Sequence, residues 1–448
     1  MFQADERLIS LIFEYCRDRL MLDPVPLDHA GDKATLDRAL EGIINDRGSD
    51  PTEVLQVFSD SLATAVVSCD SPRFLAFIPA APTKASLLFD MVVSCSSLQG
   101  SSWLEAAGAV AAENQVLRVI ADAAGLPPGA GGCFVSGGSA GNLSALMVAR
   151  EVGRHRLADR SARLRVAVSD QAHSSIGKAL HVIDVDALIV PTLDHRLTGA
   201  ALEAALRSDP DPSDVIGVVA TGGTTNAGIV DDLDGVSRVA AERGLWFHVD
   251  GAYGGAALFA SSVRHRFDGI ERADSLVVDP HKWLFAPFDC ASLIYRNPSL
   301  ARAVHTQDAS YLDVIHTDGP EEWNPSDYAY HLTRRARGLA IWFSLAVHGT
   351  DAYREAVESG LAIARDAAGL IASRDGLTLL RPPELSVVLF RRDGWEAADY
   401  NSWSRRLLRD QVGFVTPTKW EGETVARLAF LHPETTIEIV EEILDTMA

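Results

Sequence analysis

The chain has 448 residues, of which 47% are hydrophobic and 23% charged, a composition typical of a globular enzyme that excludes a collagen-like, coiled-coil or disordered chain. Its 40 basic and 61 acidic side chains give a net charge of −21 at pH 7, which disfavours binding to nucleic acids and to anionic membranes. The five cysteines are widely spaced and form no CxxC pair, which argues against a disulfide framework and against a zinc site.

The amino-terminal residues 1–20 mix charged and apolar side chains, a pattern that fits neither a signal peptide nor a transit peptide. No apolar run in the sequence approaches the roughly 20 residues that a helix needs to span a bilayer. The sequence therefore predicts a soluble, cytoplasmic protein that binds neither membranes nor nucleic acids.

Helical periodicity over 4–20, 33–47 and 51–67 predicts a helical N-terminal arm, which we assign to residues 1–70. A proline-rich loop at 77–82 separates this arm from two further helices, which begin near Lys84 and near Trp103. From Gly132 onward, short β-branched segments alternate with helices. The predicted strands are 133–135, 164–168, 187–190, 215–220, 246–249, 276–278 and 292–295.

The near-continuous hydrophobicity of these strands indicates burial on both faces, as in a mainly parallel sheet covered by helices. We therefore predict an α/β doubly wound large domain over 71–335. After a long loop at 306–330 and a helix at 334–348, the pattern predicts a smaller C-terminal α/β domain over 336–448, with helices 352–373, 397–410 and 437–447 and strands 385–391 and 425–430.

Ligands bind at the carboxyl ends of parallel strands, so the residues after each strand are the first candidates for a site. The glycine-rich segment 136–142 opens a helix and is a natural cradle for phosphate, although a tight turn that binds nothing would look the same. His173 follows the second strand as a possible ligand contact or as a structural histidine. A small polar turn that contains Thr225 follows the fourth strand.

Two charged residues follow the next strands. Asp250 ends an apolar strand, where a buried carboxylate needs a cationic partner. A metal ion would supply one, but no HExxH or clustered carboxylate motif accompanies Asp250, so no metal is predicted. Lys282, one of only five lysines, lies among apolar residues that would favour the neutral amine that attacks carbonyls, unless it pairs with Asp279 or Asp289.

One cofactor requires this combination of a phosphate cradle, an imidazole, a hydroxyl-rich turn, a buried carboxylate and a desolvated lysine. Pyridoxal phosphate has a phosphate, an aldehyde that bonds to lysine, a pyridine nitrogen that must stay protonated beside a carboxylate, and a ring face to cover. The sequence therefore predicts pyridoxal phosphate as the cofactor.

The segments 169–175, 248–253 and 279–283 resemble the group II pyridoxal-phosphate-dependent amino-acid decarboxylases of fold type I, which include aromatic-L-amino-acid, tyrosine and glutamate decarboxylases. The resemblance implies an obligate homodimer that decarboxylates an L-amino acid, by default an aromatic one, to the amine. An aldehyde synthase or an aminotransferase of the same fold is the alternative. Asp279 departs from the pattern, because aromatic-acid decarboxylases often have asparagine there.

By this resemblance, Lys282 bonds covalently to the cofactor aldehyde, Asp250 pairs with the pyridine nitrogen and His173 stacks on the ring. The other cofactor contacts that it implies are Ser139, Ala140, Thr225, Ala252, Ser275 and His281. Tyr311, in the long loop, matches the tyrosine that protonates the α-carbon. Ile78, Pro79 and Ala80 match the loop beside the substrate side chain. Arg427 is either a clamp for the substrate carboxylate or part of a structural ion pair.

Overall fold

A computed structural model of the chain describes residues 2–79, 81–157, 163–307 and 323–447. The α-helices of these residues are α1 Glu6–Leu20, α2 Lys33–Leu40, α3 Pro51–Val57, α4 Lys84–Cys95, α5 Trp103–Ala123, α6 Gly138–Arg156, α7 Ser174–Val182, α8 Gly199–Ser208, α9 Leu233–Arg243, α10 Pro298–His305, α11 Leu339–Ser373, α12 Ala397–Arg409 and α13 Ile437–Asp445. The strands are β1 Gly131–Val135, β2 Arg165–Ser169, β3 Asp186–Val190, β4 Val215–Thr221, β5 Trp246–Asp250, β6 Ser275–Val278, β7 Ala291–Tyr295, β8 Leu377–Leu379, β9 Val387–Arg392, β10 Thr418–Trp420 and β11 Glu423–Ala429.

Seven strands form a large, mainly parallel sheet in the order β1-β7-β6-β5-β4-β2-β3, which confirms the predicted α/β fold of fold type I. Strands β3, β2, β4, β5 and β6 pair in parallel, whereas β7 is antiparallel to both β6 and β1. Because two antiparallel pairings separate β1 from β6, β1 points the same way as the parallel strands. Six strands therefore end at the same edge of the sheet.

The central strands lie in the interior, as their unbroken hydrophobicity predicts. Every residue of β4, β5 and β6 is buried. Helix α6 packs closely on this sheet, since a Cβ added to Gly141 would lie 2.8 Å from a methyl group of Val277. This close approach brings the first turn of α6 next to the ends of β5 and β6.

A second sheet has four strands in the order β10-β11-β9-β8, with antiparallel pairing in β10–β11 and in β8–β9. The two three-residue strands β8 and β10 were not among the predicted elements. The prediction of a helix over 33–47 was wrong in its second half: α2 ends at Leu40, and Gly42 then adopts a positive φ of 74°. Glycine favours this left-handed conformation, which ends a helix.

The contacts within the chain divide it into two compact units. The first unit comprises Met1–Phe77, Asp366–Arg381 and Val388–Ala448, and the second comprises Ile78–Arg365 and Pro382–Val387. In the first unit Leu27, Phe74 and Ala76 form a small core against which Leu408 and Phe414 pack. The large sheet and its helices belong to the second unit. The predicted division into an arm, a large domain and a small domain at 70 and 335 remains a prediction.

Candidate active site

A cavity of about 210 Å³ lies at the edge of the large sheet where the strands end. Its lining residues follow β1, β2, β4, β5 and β6 in the chain. They are Gly137, Gly138, Ser139, Asn142, His173, Ser175, Thr221, Gly223, Thr225, Asp250, Ala252, Tyr253, Asp279, His281 and Lys282. The topology thus brings together residues that lie up to 145 positions apart in the sequence, from Gly137 to Lys282.

Seven of the residues predicted from the sequence line this cavity: Ser139, His173, Thr225, Asp250, Ala252, His281 and Lys282. Ala140 lines a neighbouring cavity of about 450 Å³, which Ser139 also borders. Ser275 lies elsewhere, at the first residue of β6, where its buried hydroxyl group contacts Trp246 and His248. Its predicted contact near a phosphate remains a prediction.

Asp250 ends β5 with only 5% of its surface exposed. The Asn142 side-chain amide donates to its Oδ2 at 2.9 Å, and the backbone N–H of Ala252 donates to its Oδ1 at 3.1 Å. Among the described residues, no lysine or arginine forms an ion pair with this carboxylate. Because neutral donors satisfy both oxygens but leave the negative charge uncompensated, Asp250 is suited to a ligand that carries a cationic N–H group.

Lys282 lies in the turn after β6, and its Nζ is 3.0 Å from Oδ2 of Asp279. The sequence left open an ion pair between Lys282 and either Asp279 or Asp289. In the structure the partner is Asp279, whereas Asp289 contacts Arg337. The Lys282 side chain is 25% exposed, so its amine can be reached from the cavity. The pair holds the amine in place at the cavity wall.

Asp279 is nearly fully buried, and its two oxygens differ in their contacts. Oδ2 accepts the backbone N–H of Gly138 at 3.1 Å and lies 3.5 Å from Nε2 of His281. Oδ1 is buried and has no hydrogen-bond partner among the described residues. An unpaired buried oxygen of this kind is costly unless a ligand or a proton satisfies it.

His281 is oriented by its backbone surroundings. Its Nδ1 accepts the backbone N–H of Cys290 at 2.9 Å, so the proton of the neutral ring lies on Nε2, which faces Asp279. Burial lowers the pKa of His281, while the carboxylate of Asp279 acts in the opposite direction. A neutral imidazole with a fixed Nε2–H group therefore lies beside the lysine.

His173 is the N-cap residue of helix α7 and lies four residues after the end of β2. Its Nδ1 accepts the backbone N–H of Ser175 at 3.2 Å and lies 2.9 Å from the Ser175 hydroxyl oxygen. The ring nitrogen thus satisfies a backbone donor that would otherwise be unpaired at a helix start. The capping contact fixes the ring beside the cavity, and the residue remains exposed.

Helix α6 begins at the cavity with glycine on both sides of its start. No side chain of the described residues caps the helix at Gly137, and the helix runs for 19 residues. Its first turn therefore presents backbone N–H groups and the positive end of the helix dipole. A Cβ on Gly138 would lie 2.9 Å from Oδ2 of Asp279 and 3.0 Å from the Cβ of Ala252. Only glycine fits this position without displacing its neighbours.

These groups fit pyridoxal phosphate. The amine of Lys282 suits the aldehyde, the uncompensated carboxylate of Asp250 suits the protonated pyridine nitrogen, and the start of α6 suits the phosphate. Asp279 fits less simply, because its unpaired oxygen faces a site for an anion. A proton on Oδ1 or a donor from the ligand would satisfy that oxygen.

The polar residues near the cavity that were not singled out from the sequence include Asn142, Ser175 and His248. Asn142 and Ser175 line the cavity, and His248 is fully buried behind it. A sequence signal existed for His248, because residues 246, 248 and 250 share one face of β5 and two of them are polar in an otherwise apolar strand. Asn142 carried a weaker signal, as a lone amide near the start of an apolar helix.

The residues predicted at the substrate remain predictions. Ile78 is buried and Pro79 is half-buried in the loop before α4, and neither lines the 210 Å³ cavity. Arg427 is buried within the first unit, where it donates to the carbonyl oxygen of Phe77 at 2.9 Å. Ala80 and Tyr311 lie outside the described residues.

A search of the described residues for metal sites finds no group of three or more histidine, cysteine, aspartate or glutamate side chains that could hold a metal ion. Within the same residues, no helix combines the length and the hydropathy that crossing a membrane requires.

The sequence comparisons agree with this geometry. Residues 35–393 match the model of the pyridoxal-dependent decarboxylase conserved domain. The chain is 30% identical to an aromatic-L-amino-acid decarboxylase of Bacillus atrophaeus over 456 aligned residues, which cover 99% of this chain and 94% of the relative. It is 32% identical to an L-2,4-diaminobutyrate decarboxylase of Rhizobium meliloti (strain 1021), with 84% and 77% of the two chains covered.

The structural comparison gives the same result. A crystal structure of Oryza sativa TDC with PLP and tryptamine superimposes with a TM-score of 0.91 at 26% identity, covering 100% of this chain and 98% of the other.

Proposed function

The chain belongs to the pyridoxal-dependent decarboxylase family and is a pyridoxal-phosphate-dependent amino-acid decarboxylase, and we propose that its substrate is an aromatic L-amino acid. In the proposed reaction the bond between Cα and the carboxylate breaks, carbon dioxide leaves, and a proton bonds to Cα to give the amine. The observation that supports decarboxylase chemistry is the meeting of Lys282, Asp250 and the start of α6 around one cavity. The aromatic substrate is supported by the 30% identity to an aromatic-L-amino-acid decarboxylase over 99% of this chain.

Bound pyridoxal phosphate supplies the electron sink that accepts the electron pair of the broken bond. Lys282 would hold the cofactor through a covalent bond from Nζ, and the first turn of α6 would bind its phosphate. Asp250 would keep a proton on the pyridine nitrogen, since its own charge has no other cationic partner among the described residues. His173 would cover one face of the ring and exclude water from it.

Lys282 also has a partner for its proton. With the substrate bound to the cofactor, the free amine of Lys282 would lie beside Asp279, whose Oδ2 is 3.0 Å from Nζ and can accept a hydrogen bond from it. The contact thereby fixes the position of the free lysine at the cavity wall. Asp279 would thus keep the lysine at the cavity wall, from which its neutral amine could bond to the cofactor again when the product leaves.

The direct test of the function is a screen of the standard L-amino acids for carbon dioxide release by the purified holoenzyme. We expect one or more aromatic amino acids to react fastest. Reduction with borohydride should attach the cofactor to the peptide that contains Lys282, and Lys282→Ala should lower the turnover by about 10³-fold or more. Release of carbon dioxide from a diamino acid alone would contradict the aromatic substrate, and no release at all would contradict decarboxylation.

The alternatives on this fold differ in their products and co-substrates. An aldehyde synthase would consume one oxygen and one water molecule per turnover and yield an aldehyde, carbon dioxide, ammonia and hydrogen peroxide. An aminotransferase would need a keto acid as acceptor and would release no carbon dioxide; Arg427 would then be a candidate to bind the α-carboxylate. Product analysis with and without oxygen distinguishes all three reactions.

Tyr311 is the residue that we propose as the proton donor to Cα. The support is the sequence resemblance alone, since Tyr311 lies outside the described residues. Tyr311→Phe should divert product from the amine toward the aldehyde and peroxide in air. An unchanged yield of amine would remove Tyr311 from the mechanism.

We also propose that the enzyme is a homodimer. Helix α1 has no buried residue and exposes a cluster of apolar side chains, Leu8, Ile9, Ile12 and Phe13, at 39–52% of their surface. An apolar surface of this kind is typical of a protein interface. Sedimentation velocity should give a dimer, and Phe13→Asp should weaken it. A monomeric wild-type protein, or a variant that associates as tightly as the wild type, would contradict the proposal.

We also propose that the protein is located in the cytoplasm. All five cysteines are free, including the exposed Cys95, as is typical of proteins in a reducing compartment. Fractionation of cells that produce the protein should recover it with the cytoplasmic enzymes, and recovery in the membrane fraction would contradict this location.

A further inference from the structure

A continuous chain of hydrogen bonds between buried side chains lies behind the cavity, with Asn142 at its branch point. Asn142 is 1% exposed, and its Nδ2 donates to Oδ2 of Asp250 at 2.9 Å and to the Ser175 hydroxyl oxygen at 3.1 Å. Its Oδ1 lies 2.9 Å from Nε2 of His248. The amide therefore uses both of its N–H groups and its carbonyl oxygen.

Chemistry fixes the direction of each bond. A carboxylate only accepts hydrogen bonds, so Asn142 must turn Nδ2 toward Asp250. Oδ1 then faces His248, whose Nε2 must carry a proton to donate to it. The reverse orientation of the amide would set an oxygen against the Asp250 carboxylate and two N–H hydrogens against the N–H of His248.

The ring of His248 is set by the residues on its other side. Burial lowers the pKa of His248 to about 4, against the opposing effect of Asp250, so the ring is neutral at neutral pH and its Nδ1 is an acceptor. The Ser275 hydroxyl group lies 2.8 Å from this Nδ1 and donates to it. The indole N–H of Trp246 in turn donates to Ser275 Oγ at 2.9 Å. Trp246, His248 and Asp250 alternate along β5 and therefore share one face.

The second N–H group of Asn142 connects the network to Ser175 and, through it, to His173. The Ser175 hydroxyl oxygen accepts this bond, so its own proton is available for Nδ1 of His173 at 2.9 Å. The same Nδ1 also accepts the backbone N–H of Ser175. Because Nδ1 is occupied as an acceptor, Nε2 is the nitrogen of the His173 ring that carries a hydrogen.

From this geometry we propose that Asn142 is a positioning residue that fixes the Asp250 carboxylate and the His173 ring together, and that His248 and Ser275 orient its amide. The inference rests on the proposed function, in which Asp250 pairs with the pyridine nitrogen and His173 covers the ring. Because the bonds to Asp250 come from neutral donors, the network holds the carboxylate in place without cancelling its charge.

The test uses a matched pair of variants of His248. Gln and Met are similar in length, but only Gln can donate an N–H group to Oδ1 of Asn142 from the position of Nε2. The purified holoenzymes are prepared with pyridoxal phosphate labelled with ¹⁵N in its ring, and the ¹⁵N chemical shift reports whether the pyridine nitrogen is protonated. Steady-state kinetics with the best substrate of the screen accompany the spectra.

We expect His248→Met to move the ¹⁵N signal toward the unprotonated form and to lower kcat by about 10-fold or more with KM changed less than about threefold. His248→Gln should keep the wild-type signal and most of kcat. Asn142→Ala should shift the signal at least as far as His248→Met. If Asn142→Ala does not fold, as judged by circular dichroism, the Gln and Met pair decides the question alone.

A wild-type ¹⁵N signal in both the Gln and the Met variant would overturn the proposal, and so would equal shifts in the two. The spectroscopic result does not depend on turnover. If the wild-type enzyme binds the cofactor with a protonated nitrogen but decarboxylates no amino acid, the proposed function fails while the positioning role is still tested by the same spectra.

Discussion

Two buried carboxylates border the same cavity and are used in opposite ways. Asp250 receives neutral N–H donors on both oxygens and has no ion-pair partner among the described residues. Asp279 directs one oxygen toward Lys282, His281 and the Gly138 N–H group, and its other oxygen has no hydrogen-bond partner in the part of the chain that the structure describes. Burial is nearly equal at the two positions, so the surrounding donors, rather than desolvation, decide what each charge can do.

The difference assigns the two charges to different partners. The charge of Asp250 is held rigidly and kept available for a cationic group of a ligand. The charge of Asp279 is already paired with the amine of Lys282, and its position beside the start of α6 puts it next to the proposed phosphate. The first carboxylate should therefore be required for turnover, whereas the second should tune cofactor binding.

Asp250→Asn gives the largest expected effect. The substitution keeps the shape of the side chain but removes the charge that we propose keeps the pyridine nitrogen protonated, so kcat should fall by about 10³-fold. Asp279→Asn is the matched control, because it makes the same chemical change across the same cavity. Steady-state kinetics at saturating cofactor measure both variants. Equal losses of kcat would abolish the distinction between the two carboxylates.

The pH dependence of stability should reflect the neutral His248 behind Asp250. Burial lowers the pKa of this histidine from 6.5 to about 4, so between these values the unfolded chain binds more protons than the folded one. The stabilisation that comes from the neutral His248 is therefore fully present above pH 6.5 and is lost as the pH falls toward 4. For the cofactor-free protein, the contribution of His248 to the free energy of unfolding should fall by about 2 kcal/mol between pH 7 and pH 5.

Urea unfolding at the two pH values measures this contribution. His248→Gln should reduce the difference between pH 7 and pH 5, since glutamine does not titrate. The exposed His265 provides the control, and His265→Gln should leave the difference unchanged. A wild-type pH dependence in His248→Gln would show that His248 is charged in the folded protein.

Gly138→Ala tests the contact between Asp279 and the start of α6. The added Cβ would lie 2.9 Å from Oδ2 of Asp279 and 3.0 Å from the Cβ of Ala252, so the first turn of α6 must move. The apparent dissociation constant of pyridoxal phosphate should rise about tenfold, which corresponds to about 1.4 kcal/mol. Gly177→Ala in α7 is the control, because its Cβ would meet no atom within 4 Å. Unchanged cofactor affinity in Gly138→Ala would separate this turn from the phosphate.

Asp279→Asn should give the smallest effect, and it is the one variant here that should bind the cofactor more tightly than the wild type. The amide removes a negative charge beside the proposed phosphate and offers an N–H group where Oδ1 has no partner. The apparent dissociation constant of pyridoxal phosphate should fall about threefold. Fluorescence titration of the cofactor-free protein measures it. Weaker binding of the cofactor would mean that Asp279 is needed for the phosphate or for the lysine.

Much of the fold could be predicted from the local pattern of apolar and polar residues along the chain. Unbroken apolar segments between helices predicted all seven strands of the large sheet, because a strand buried on both faces needs apolar residues at every position. The predicted burial was wrong for β3, which lies at the edge of the sheet and buries only Val190. Strands β8 and β10 were missed because three residues are too few to show a period. The helix predicted over 33–47 was too long because periodicity does not register the left-handed backbone at Gly42.

The candidate site, like the fold, could be predicted from the sequence only in part. Lys282, Asp250 and His173 could be found because polar residues directly after apolar strands must lie at one edge of a parallel sheet. Asn142, Ser175 and His248 could not be joined into a network, since their bonds depend on how closely α6 approaches β5. Ser275 differs from the other predicted residues, because it begins its strand and so lies away from the edge where the strands end.

The sequence by itself determined the chemical groups: which strands end in a carboxylate, which turn carries a lysine and which helix begins with glycine. These are properties of residue type and order along the chain. Only the tertiary structure decided the partner of each charge, because Asn142 and Asp250, or Gly138 and Asp279, lie more than 100 positions apart and meet only when α6 packs on the sheet. Hydrogen bonding acts over about 3 Å in space, and spacing along the chain does not encode that distance.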